Sequence, residues 1–294
     1  MLITESELGM IQEFKDEMKK MFEMSDLGMM NYFLGMETQD CKLAGTPMTT
    51  SIKLSKDDES EKVDESLYRG LIDNLQYLTA SRPDILFAVS ILSRFMHSPR
   101  ETHFITAKRI LRYIKGTIDL GIFYPRSSEG TVELRGYIDS DWGGCVDDSR
   151  STSGYLFSLN SGVFTWSSKK QETTAQSTAE AEYIAAASAV NQAIWLRKML
   201  KDLGHEQIEA TKIMCDNSSA VSISKNPVFH GRTKHIKIKF HFIREVQQSN
   251  EVMLIHCSSE EQLADIFTKP LPKERFETLR QMIGICRQNV KEEC

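Results

Sequence analysis

The sequence lacks several patterns that define other classes of protein. None of its six cysteines forms a C-x-x-C pair, so we expect neither a zinc site nor a disulfide framework. The spacing of His230, His235 and His241 has no accompanying cysteine pair and does not change this expectation. No apolar run approaches the roughly 18 residues that crossing a bilayer requires, and the N-terminus lacks the basic start and apolar segment of a signal peptide. We therefore expect an intracellular protein without a membrane partner.

Basic residues are fewer than acidic ones, 36 against 41, but some of them are clustered. The net charge of −5 alone argues against nucleic-acid binding. Two basic runs argue the other way, and either could equally be an ordinary solvated face. Their members are Lys108, Arg109, Arg112 and Lys115 in the first run, and Arg232, Lys234, Lys237, Lys239 and Arg244 in the second.

The spacing of apolar and turn-forming residues predicts an α/β fold. Residues 40–66 are the best linker candidate, and helices are expected over 68–77, 85–96 and 102–115. After residue 130 the pattern predicts strands over 132–138, 153–159 and 163–167, a helix over 178–203, a strand over 211–215, helices over 218–224 and about 234–248, a strand over 252–257 and a last helix. This order implies a mixed five-stranded sheet flanked by helices and preceded by a small helical region.

Two aspartates follow predicted strands. Asp139 comes after residues 132–138, and Asp216 comes directly after the apolar run that ends at Cys215. If these strands are neighbours, their end carboxylates meet at one edge of the sheet, where sites of α/β proteins usually lie.

Glu182 stands out on the predicted long helix. Ser177 and Glu180 form a plausible capping box that places the start of this helix. From Glu182, steps of four and three residues reach a continuous apolar stripe, namely Ala186, Ala189, Ala193, Leu196, Leu200 and Leu203. The Glu182 carboxylate therefore points to the sheet and needs a cation, a hydrogen-bond donor or a proton. A glutamate favoured only by the helix dipole would explain Glu180 better than Glu182.

Asp265 completes a set of four acids, although taken alone it looks like an ordinary acid on a helix surface. Four clustered carboxylates repel one another unless multivalent cations offset their charge. Magnesium suits an all-oxygen site and keeps waters for a phosphate to replace. Two such ions could hold an in-line phosphoryl displacement, with Asp139 as the expected bridging ligand and Mn²⁺ as an alternative metal.

Six segments of the chain resemble, in order, the ribonuclease H domain of copia-type long-terminal-repeat retrotransposon polyproteins. They are YIDSDW at 137–142, STSGY at 151–155, WSSKKQ at 166–171, STAEAEY at 177–183, CDN at 215–217 and ADIFTKPL at 264–271. The resemblance places the four catalytic, metal-binding acids of that family on Asp139, Glu182, Asp216 and Asp265. Asp141 is a rival to Asp139, but the match favours Asp139, and whether Asp141 has a secondary role stays open.

The resemblance extends upstream and implies a domain layout. LG at 27–28 and YFLGM at 32–36 resemble the end of the copia reverse transcriptase, and residues 68–85 and 108–116 resemble its connection to the nuclease. We expect a truncated reverse-transcriptase remnant at 1–48, a helical connection region at 49–130, a ribonuclease H-like domain at 131–285 and a tail at 286–294. The paired-aspartate motif of the polymerase is absent, so no polymerisation is expected. The chain also lacks a strand and helix that the family has near residue 40, which suggests a deleted copy.

The implied substrate is the RNA–DNA hybrid made in reverse transcription. Gln176, Ser177 and Asn217 flank the acids and are candidates for sugar contacts, with helix capping and turn formation as their alternative roles. The basic helix, with Arg232, Lys234, Lys237 and Lys239, is the preferred phosphate-binding surface. His256 is a candidate for proton transfer to the leaving group, although we favour a packing role for it.

The leading hypothesis is a two-metal endonuclease that cuts the RNA strand and leaves 3′-hydroxyl and 5′-phosphate ends. The alternative is a catalytically idle remnant that folds and binds nucleic acid without turnover. An integrase or transposase of similar fold would need a three-acid pattern, and the integrase zinc module is missing. Other parts of the polyprotein are expected partners, and a cytoplasmic virus-like particle or the nucleus is the expected location.

Overall fold

The computed structural model describes residues 41–124, 132–225 and 237–287 and, before these, residues 16, 20, 32–33 and 36–37. Side-chain surroundings are described for all of these except 32–33, 36–37 and 237–240. The chain divides into two compact units, Met1–Lys42 and Leu43–Cys294. In the first unit, β1 (Tyr32–Phe33) pairs antiparallel with β2 (Met36–Glu37). The rest of the predicted reverse-transcriptase segment up to residue 40, including most of its apparent deletion, lies outside the described residues.

The second unit is built on a mixed five-stranded sheet. Its strands lie in the order β6-β5-β4-β7-β8. They are β4 (Leu134–Ser140), β5 (Thr152–Leu159), β6 (Gly162–Lys170), β7 (Thr211–Cys215) and β8 (Val252–His256). The first three form an antiparallel meander, while β7 runs parallel to β4 and β8 runs parallel to β7. The predicted α/β fold, with its mixed five-stranded sheet flanked by helices, is confirmed.

A short turn joins β5 to β6. Asn160 adopts a positive φ of 52°, a conformation that asparagine tolerates better than most residues. The strands on either side end at Leu159 and begin at Gly162, so the hairpin loop has two residues. The strands predicted over 153–159 and 163–167 are therefore the two arms of a hairpin.

The long helix α4 (Thr178–Asp202) covers one face of the sheet. The Ser177 hydroxyl accepts a hydrogen bond from the Glu180 amide at 3.2 Å, and Gly204 follows the helix with a φ of 81°. The predicted stripe is buried from Glu182 to Leu200, but Leu203 is 66% exposed because the helix ends before it. Only the last position of the stripe is wrong.

Two shorter helices complete this layer. They are α5 (Ser218–Lys225) and α6 (Lys237–Gln248), and both pack against α4. The core between this layer and the sheet is formed by alanines of α4 with large residues of the strands, such as Ile138, Phe157, Ile213 and Leu254. Its small helix side chains let α4 approach the sheet closely, which brings Glu182 to the strand ends.

A helical region lies against the opposite face. It contains α1 (Glu65–Leu78), α2 (Leu86–Leu92) and α3 (Glu101–Gly116). The helix expected over 85–96 is interrupted, because Pro83–Ile85 and Ser93–Phe95 form 3-10 turns on either side of α2. This region contacts the sheet through two hydrogen bonds of β6, from the Trp166 indole to the Thr79 carbonyl at 3.1 Å and between the Ser90 and Ser168 hydroxyls at 3.0 Å.

The segment predicted as a linker is partly packed. Thr46, Pro47 and Met48 are buried, and the Arg109 guanidinium donates to both oxygens of Thr46 at 3.0 Å. The linker prediction is therefore wrong for these residues. Arg109 of α3 supplies hydrogen-bond donors to the oxygens of Thr46, and this contact between distant residues cannot be read from the sequence. The same contact turns one member of the first basic run inward.

The chain after β8 folds back over the sheet. A 3-10 turn (Leu263–Phe267) is followed by α7 (Lys273–Met282) and by β9 (Ile285–Arg287), which pairs antiparallel with β3 (Leu120–Ile122). Residues 43–287 thus form one compact unit, within which the domain boundaries at 130 and 285 stay predictions. None of the helices in the described residues combines the length and apolarity that crossing a bilayer requires.

Candidate active site

Three of the four predicted acids converge at one end of the sheet. One carboxylate oxygen each from Asp139, Glu182 and Asp216 lies within 4.8 Å of the others. Asp139 is near the end of β4 and Asp216 directly follows β7; the parallel register of Tyr137 with Met214 sets the two aspartates side by side. Glu182 reaches the same point from the second turn of α4. The prediction that strand ends bring these acids together is confirmed.

Glu182 is buried and has few partners of its own. Its carboxylate accepts a hydrogen bond from the Ser140 amide at 3.0 Å and a weak one from the Cys215 thiol at 3.9 Å. Burial, followed by the negative charges of Asp139 and Asp216, holds the pKa of Glu182 well above its usual range. Among the described residues, no lysine, arginine or histidine forms an ion pair with Glu182 or Asp216. On this side of the cluster, the described residues therefore offer hydrogen bonds but no ion pair.

Asp265 stands beside the cluster on the 3-10 turn. It is only 6% exposed, so the interpretation of this residue as a surface acid is wrong. The turn is fixed by Gln262, whose buried amide donates to the Ile138 carbonyl at 2.8 Å. Burial first, and then the charge of Asp139, raise the pKa of Asp265, while Lys269 opposes the rise.

Two residues that the sequence reasoning missed complete this side of the site. The Thr268 hydroxyl donates a hydrogen bond to Asp139. The Lys269 ammonium lies 2.8 Å from an oxygen of Asp265 and 3.5 Å from an oxygen of Asp139. Both residues belong to the quoted ADIFTKPL segment, and the four-residue spacing from Asp265 to Lys269 was the available signal.

Asp141 is bound elsewhere. Its carboxylate accepts a hydrogen bond from the Thr152 amide of β5, and the charge of Arg94 lies nearby. Burial raises the pKa of Asp141 to about 6. Asp141 is absent from the three-acid group, so the choice of Asp139 over Asp141 agrees with the geometry.

The chemistry of the donor set fits a hard divalent cation. The three clustered ligand atoms are all carboxylate oxygens, which Mg²⁺ and Mn²⁺ prefer. The Cys215 thiol lies next to Glu182, and burial raises the pKa of this thiol. The predicted Mg²⁺ site therefore has suitable residues in a suitable arrangement.

The predicted nucleic-acid contacts are partly described. Gln176 and Ser177 are exposed at the start of α4, and Asn217 caps α5 by accepting from the Ala220 amide at 3.0 Å. His256 is exposed, with Nε2 3.2 Å from the Asp216 carbonyl oxygen, so the packing role favoured for it is wrong. Arg232 and Lys234 lie outside the described residues; Lys237 and Lys239 lie in α6, where their side chains are not described.

The strand order and the mixed strand directions of this sheet are those of the ribonuclease H-like fold. No established protein-family model matches the chain. Among solved structures it resembles a ribonuclease H1 isolated from compost by a metagenomic approach, at 17% identity, with 50% of this chain and 96% of that chain covered and a TM-score of 0.37. The same protein solved in complex with an RNA/DNA hybrid gives a TM-score of 0.35.

The sequence comparisons identify the family. The chain is 38% identical over 310 residues to the retrovirus-related Pol polyprotein from transposon RE1 of Arabidopsis thaliana, covering 97% of this chain and 21% of the relative. It is 34% identical over 318 residues to the corresponding polyprotein from transposon TNT 1-94 of Nicotiana tabacum, covering 97% and 24%. The chain belongs to the retrovirus-related Pol polyproteins of copia-type transposons. It spans less than a quarter of the length of these relatives.

Proposed function

We propose that the chain is a ribonuclease H that hydrolyses the RNA strand of RNA–DNA hybrids with two divalent cations. The observation that carries the proposal is the meeting of Asp139, Glu182 and Asp216 within 4.8 Å at the strand ends, with Asp265 beside them. The chain contributes these acids from four separate elements, in the order in which the family motifs occur. Membership of the Pol family supports the same activity, since ribonuclease H is a part of such polyproteins.

We assign different roles in the proposed hydrolysis to different residues. Asp139 belongs to the three-acid cluster and also shares Lys269 with Asp265, so it would be the ligand common to two cations. When bound, Mg²⁺ lowers the pKa of a coordinated water and offsets charge on the phosphate. In the proposed reaction a water oxygen would bond to phosphorus and lose a proton to solvent while the bond from phosphorus to the 3′ oxygen breaks, which would leave a 3′-hydroxyl and a 5′-phosphate. His256, exposed beside Asp216, is the proposed proton donor to the 3′ oxygen.

Recognition of the hybrid is assigned to the surface around the acids. Gln176 and Ser177 lie at the start of α4, and Asn217 follows Asp216, so all three flank the site. Their polar groups would meet the 2′-hydroxyls that distinguish RNA from DNA. The other partners proposed are the remaining parts of the Pol polyprotein. A virus-like particle in the cytoplasm, or the nucleus, is the proposed location.

The decisive experiment is cleavage of a labelled RNA–DNA hybrid by the purified full chain. We expect Mg²⁺-dependent cleavage of the RNA strand and none of duplex DNA. Asp216→Asn removes an acid from the cluster and should lower the rate by at least about a hundredfold, since such ligands hold the charge of the transition state. Asp73→Asn, an exposed change on α1, is the matched control and should cut like the parent.

Two results would refute the catalytic proposal. They are no cleavage by a folded parent protein, or full activity of Asp216→Asn. Hybrid binding without cleavage would instead support the alternative of an idle remnant.

The basic segment is tested by its effect on salt dependence. Lys237→Glu with Lys239→Glu should weaken hybrid binding and reduce the slope of log affinity against log salt by roughly two, because each phosphate contact contributes about one to that slope. Lys53→Glu with Lys198→Glu makes the same charge change at two exposed positions elsewhere. An unchanged slope in the first variant would remove this surface from the proposed interface.

A further inference from the structure

The four acids are not equally compensated. Asp139 and Asp265 share the ammonium of Lys269, while Glu182 and Asp216 form no ion pair among the described residues. A positive charge thus already stands on one side of the site, and the other side is bare. The two sides have Asp139 in common.

Lys269 is placed for this contact by the turn that carries Asp265. It lies four residues after Asp265, and its backbone amide donates to the Asp265 carbonyl at 3.3 Å. The neighbouring Thr268 is fully buried and holds Asp139 by a hydrogen bond. The backbone at Lys269 is therefore fixed, while 41% of its side chain is exposed and can swing towards solvent.

Arg275 is a different kind of cation. It also approaches Asp265, at 3.5 Å, but its guanidinium donates to the backbone carbonyls of Ser259 and Glu260 at 2.7 Å each. Those two bonds fix Arg275 in place whether or not another cation is near. Within the described part of the chain, the Lys269 ammonium is held by the two carboxylates alone.

We propose that Lys269 acts as a built-in counter-ion that occupies the Asp139–Asp265 side of the site until a second divalent cation displaces it. The first cation binds at Asp139, Glu182 and Asp216 without moving Lys269. The second must compete with the ammonium for Asp265 and Asp139, so the protein without substrate binds it weakly. This inference rests on the proposed two-metal nuclease.

Displacement leaves an unpaired ammonium beside the site. A phosphate of the hybrid is the anionic partner that such a group would take, because no described carboxylate outside the cluster contacts Lys269. Binding of the hybrid and of the second cation should therefore favour each other, and by thermodynamic linkage the effect is reciprocal. Lys269 would thus delay assembly of the complete metal centre until substrate is present.

The test is a titration of the full chain with Mn²⁺ in the absence of nucleic acid. Binding is measured by calorimetry and by electron paramagnetic resonance. We expect the wild-type protein to take up one Mn²⁺ tightly and a second weakly. Lys269→Met should tighten the second event by roughly tenfold, since it removes one nearby positive charge, and should tighten the first event less, because Lys269 contacts only one of its three ligands. It should also give the spin-coupled signal of a Mn²⁺ pair at lower metal concentration. Lys273→Met, whose side chain is 66% exposed, is the control.

The outcomes separate the two proposals. If the folded wild-type chain binds no Mn²⁺, the metal-dependent nuclease and the role of Lys269 are both overturned. If it binds Mn²⁺ but the second event is the same in Lys269→Met, only the role of Lys269 is overturned.

A second measurement needs no variant. The acetylation rate of Lys269 in the wild-type protein, followed by mass spectrometry, should rise when Mg²⁺ replaces EDTA, because displacement frees the amine. Lys273 should react at one rate in both conditions. If the acetylation rate of Lys269 is unchanged by saturating Mg²⁺ and Mn²⁺, the displacement of Lys269 by the second cation is refuted.

Discussion

Glu182 shows how much a single residue can reveal about a site. Its place in an otherwise apolar helix stripe predicts burial, and it is 4% exposed. A carboxylate in such a place must find compensation, and Glu182 receives hydrogen bonds from one backbone amide and, weakly, from a thiol, but forms no ion pair with a described residue. The raised pKa of Glu182 expresses the missing compensation, which a divalent cation would provide.

Asp265, in contrast, shows how little the local sequence can reveal about a site residue. Its sequence neighbours are compatible with a surface helix, and only the family motif marked it as a ligand. Its burial depends on Gln262 and on the way the turn lies over β5, which are contacts between residues far apart in sequence. No local pattern could have shown them.

His103 gives a residue-scale prediction on pH and stability. Its Nδ1 accepts from the Arg100 amide at 3.0 Å, so Nε2 carries the proton and donates to the Ser55 carbonyl at 3.1 Å. Burial lowers the pKa of His103 below its ordinary value of 6.5, in spite of the charges of Asp58 and Asp147. The unfolded chain therefore takes up this proton more readily, and stability should fall as the pH drops below about 6.5.

Thermal unfolding between pH 8 and pH 5 checks this prediction. His103→Gln should be less stable than the wild type at neutral pH. Its stability should decrease less than that of the wild type as the pH drops from neutral to 5. His97→Gln changes an exposed histidine and should keep the wild-type profile. Parallel curves for the wild type and His103→Gln would contradict the assignment.

At the scale of elements, the site depends on one close approach. A Cβ at Gly154 of β5 would stand 2.7 Å from the Phe267 Cβ and 2.8 Å from the Thr268 Cγ2. Gly154 is also the register partner of Asp139. The glycine thus lets the turn lie near enough for Thr268 to bond Asp139 and for Asp265 to join the cluster.

Gly154→Ala should displace this turn. We expect a loss of about 1–3 kcal/mol in the free energy of unfolding, as for other overpacked sites, together with weaker Mn²⁺ binding. Gly70→Ala is the control, because nothing lies within 4 Å of a Cβ there and alanine favours its helix. Denaturant unfolding and calorimetry would measure the two effects, and unchanged metal binding in Gly154→Ala would show that the turn is not what positions Asp265.

At the scale of the whole molecule, the helical region and the five-stranded sheet belong to one compact unit. Arg94, in the 3-10 turn that follows α2, donates to the Thr152 hydroxyl of β5 at 3.0 Å. Phe87 and Ala88 of α2 line a small cavity together with Ile266 and Leu271 from the segment around Asp265. The buried Arg82–Asp84 pair further binds α3 through Thr117 and Tyr113. A region with no catalytic residue therefore supports the fourth acid.

Truncation tests this dependence. A fragment of residues 132–287 should lose cooperative unfolding or bind Mn²⁺ more weakly than a fragment of residues 43–287, because it exposes the face that α2 covers. Thermal unfolding followed by circular dichroism would compare the cooperativity and stability of the two fragments, and calorimetry would compare their affinities for Mn²⁺. Equal stability and equal metal affinity would show that the helical region is a separate domain, as the predicted boundary at residue 130 implies.

The sequence by itself determined the fold class and the identity of the acids. Alternation in strands, helix periodicity and motif order are local properties, and they located Asp139, Glu182 and Asp216 before any contact was known. Only the tertiary structure decided which acids form ion pairs, that Lys269 lies between Asp139 and Asp265, and that residues 46–48 and α2 belong to the same compact unit as the sheet. Those facts depend on burial and on pairings between distant parts of the chain, which a linear pattern does not contain.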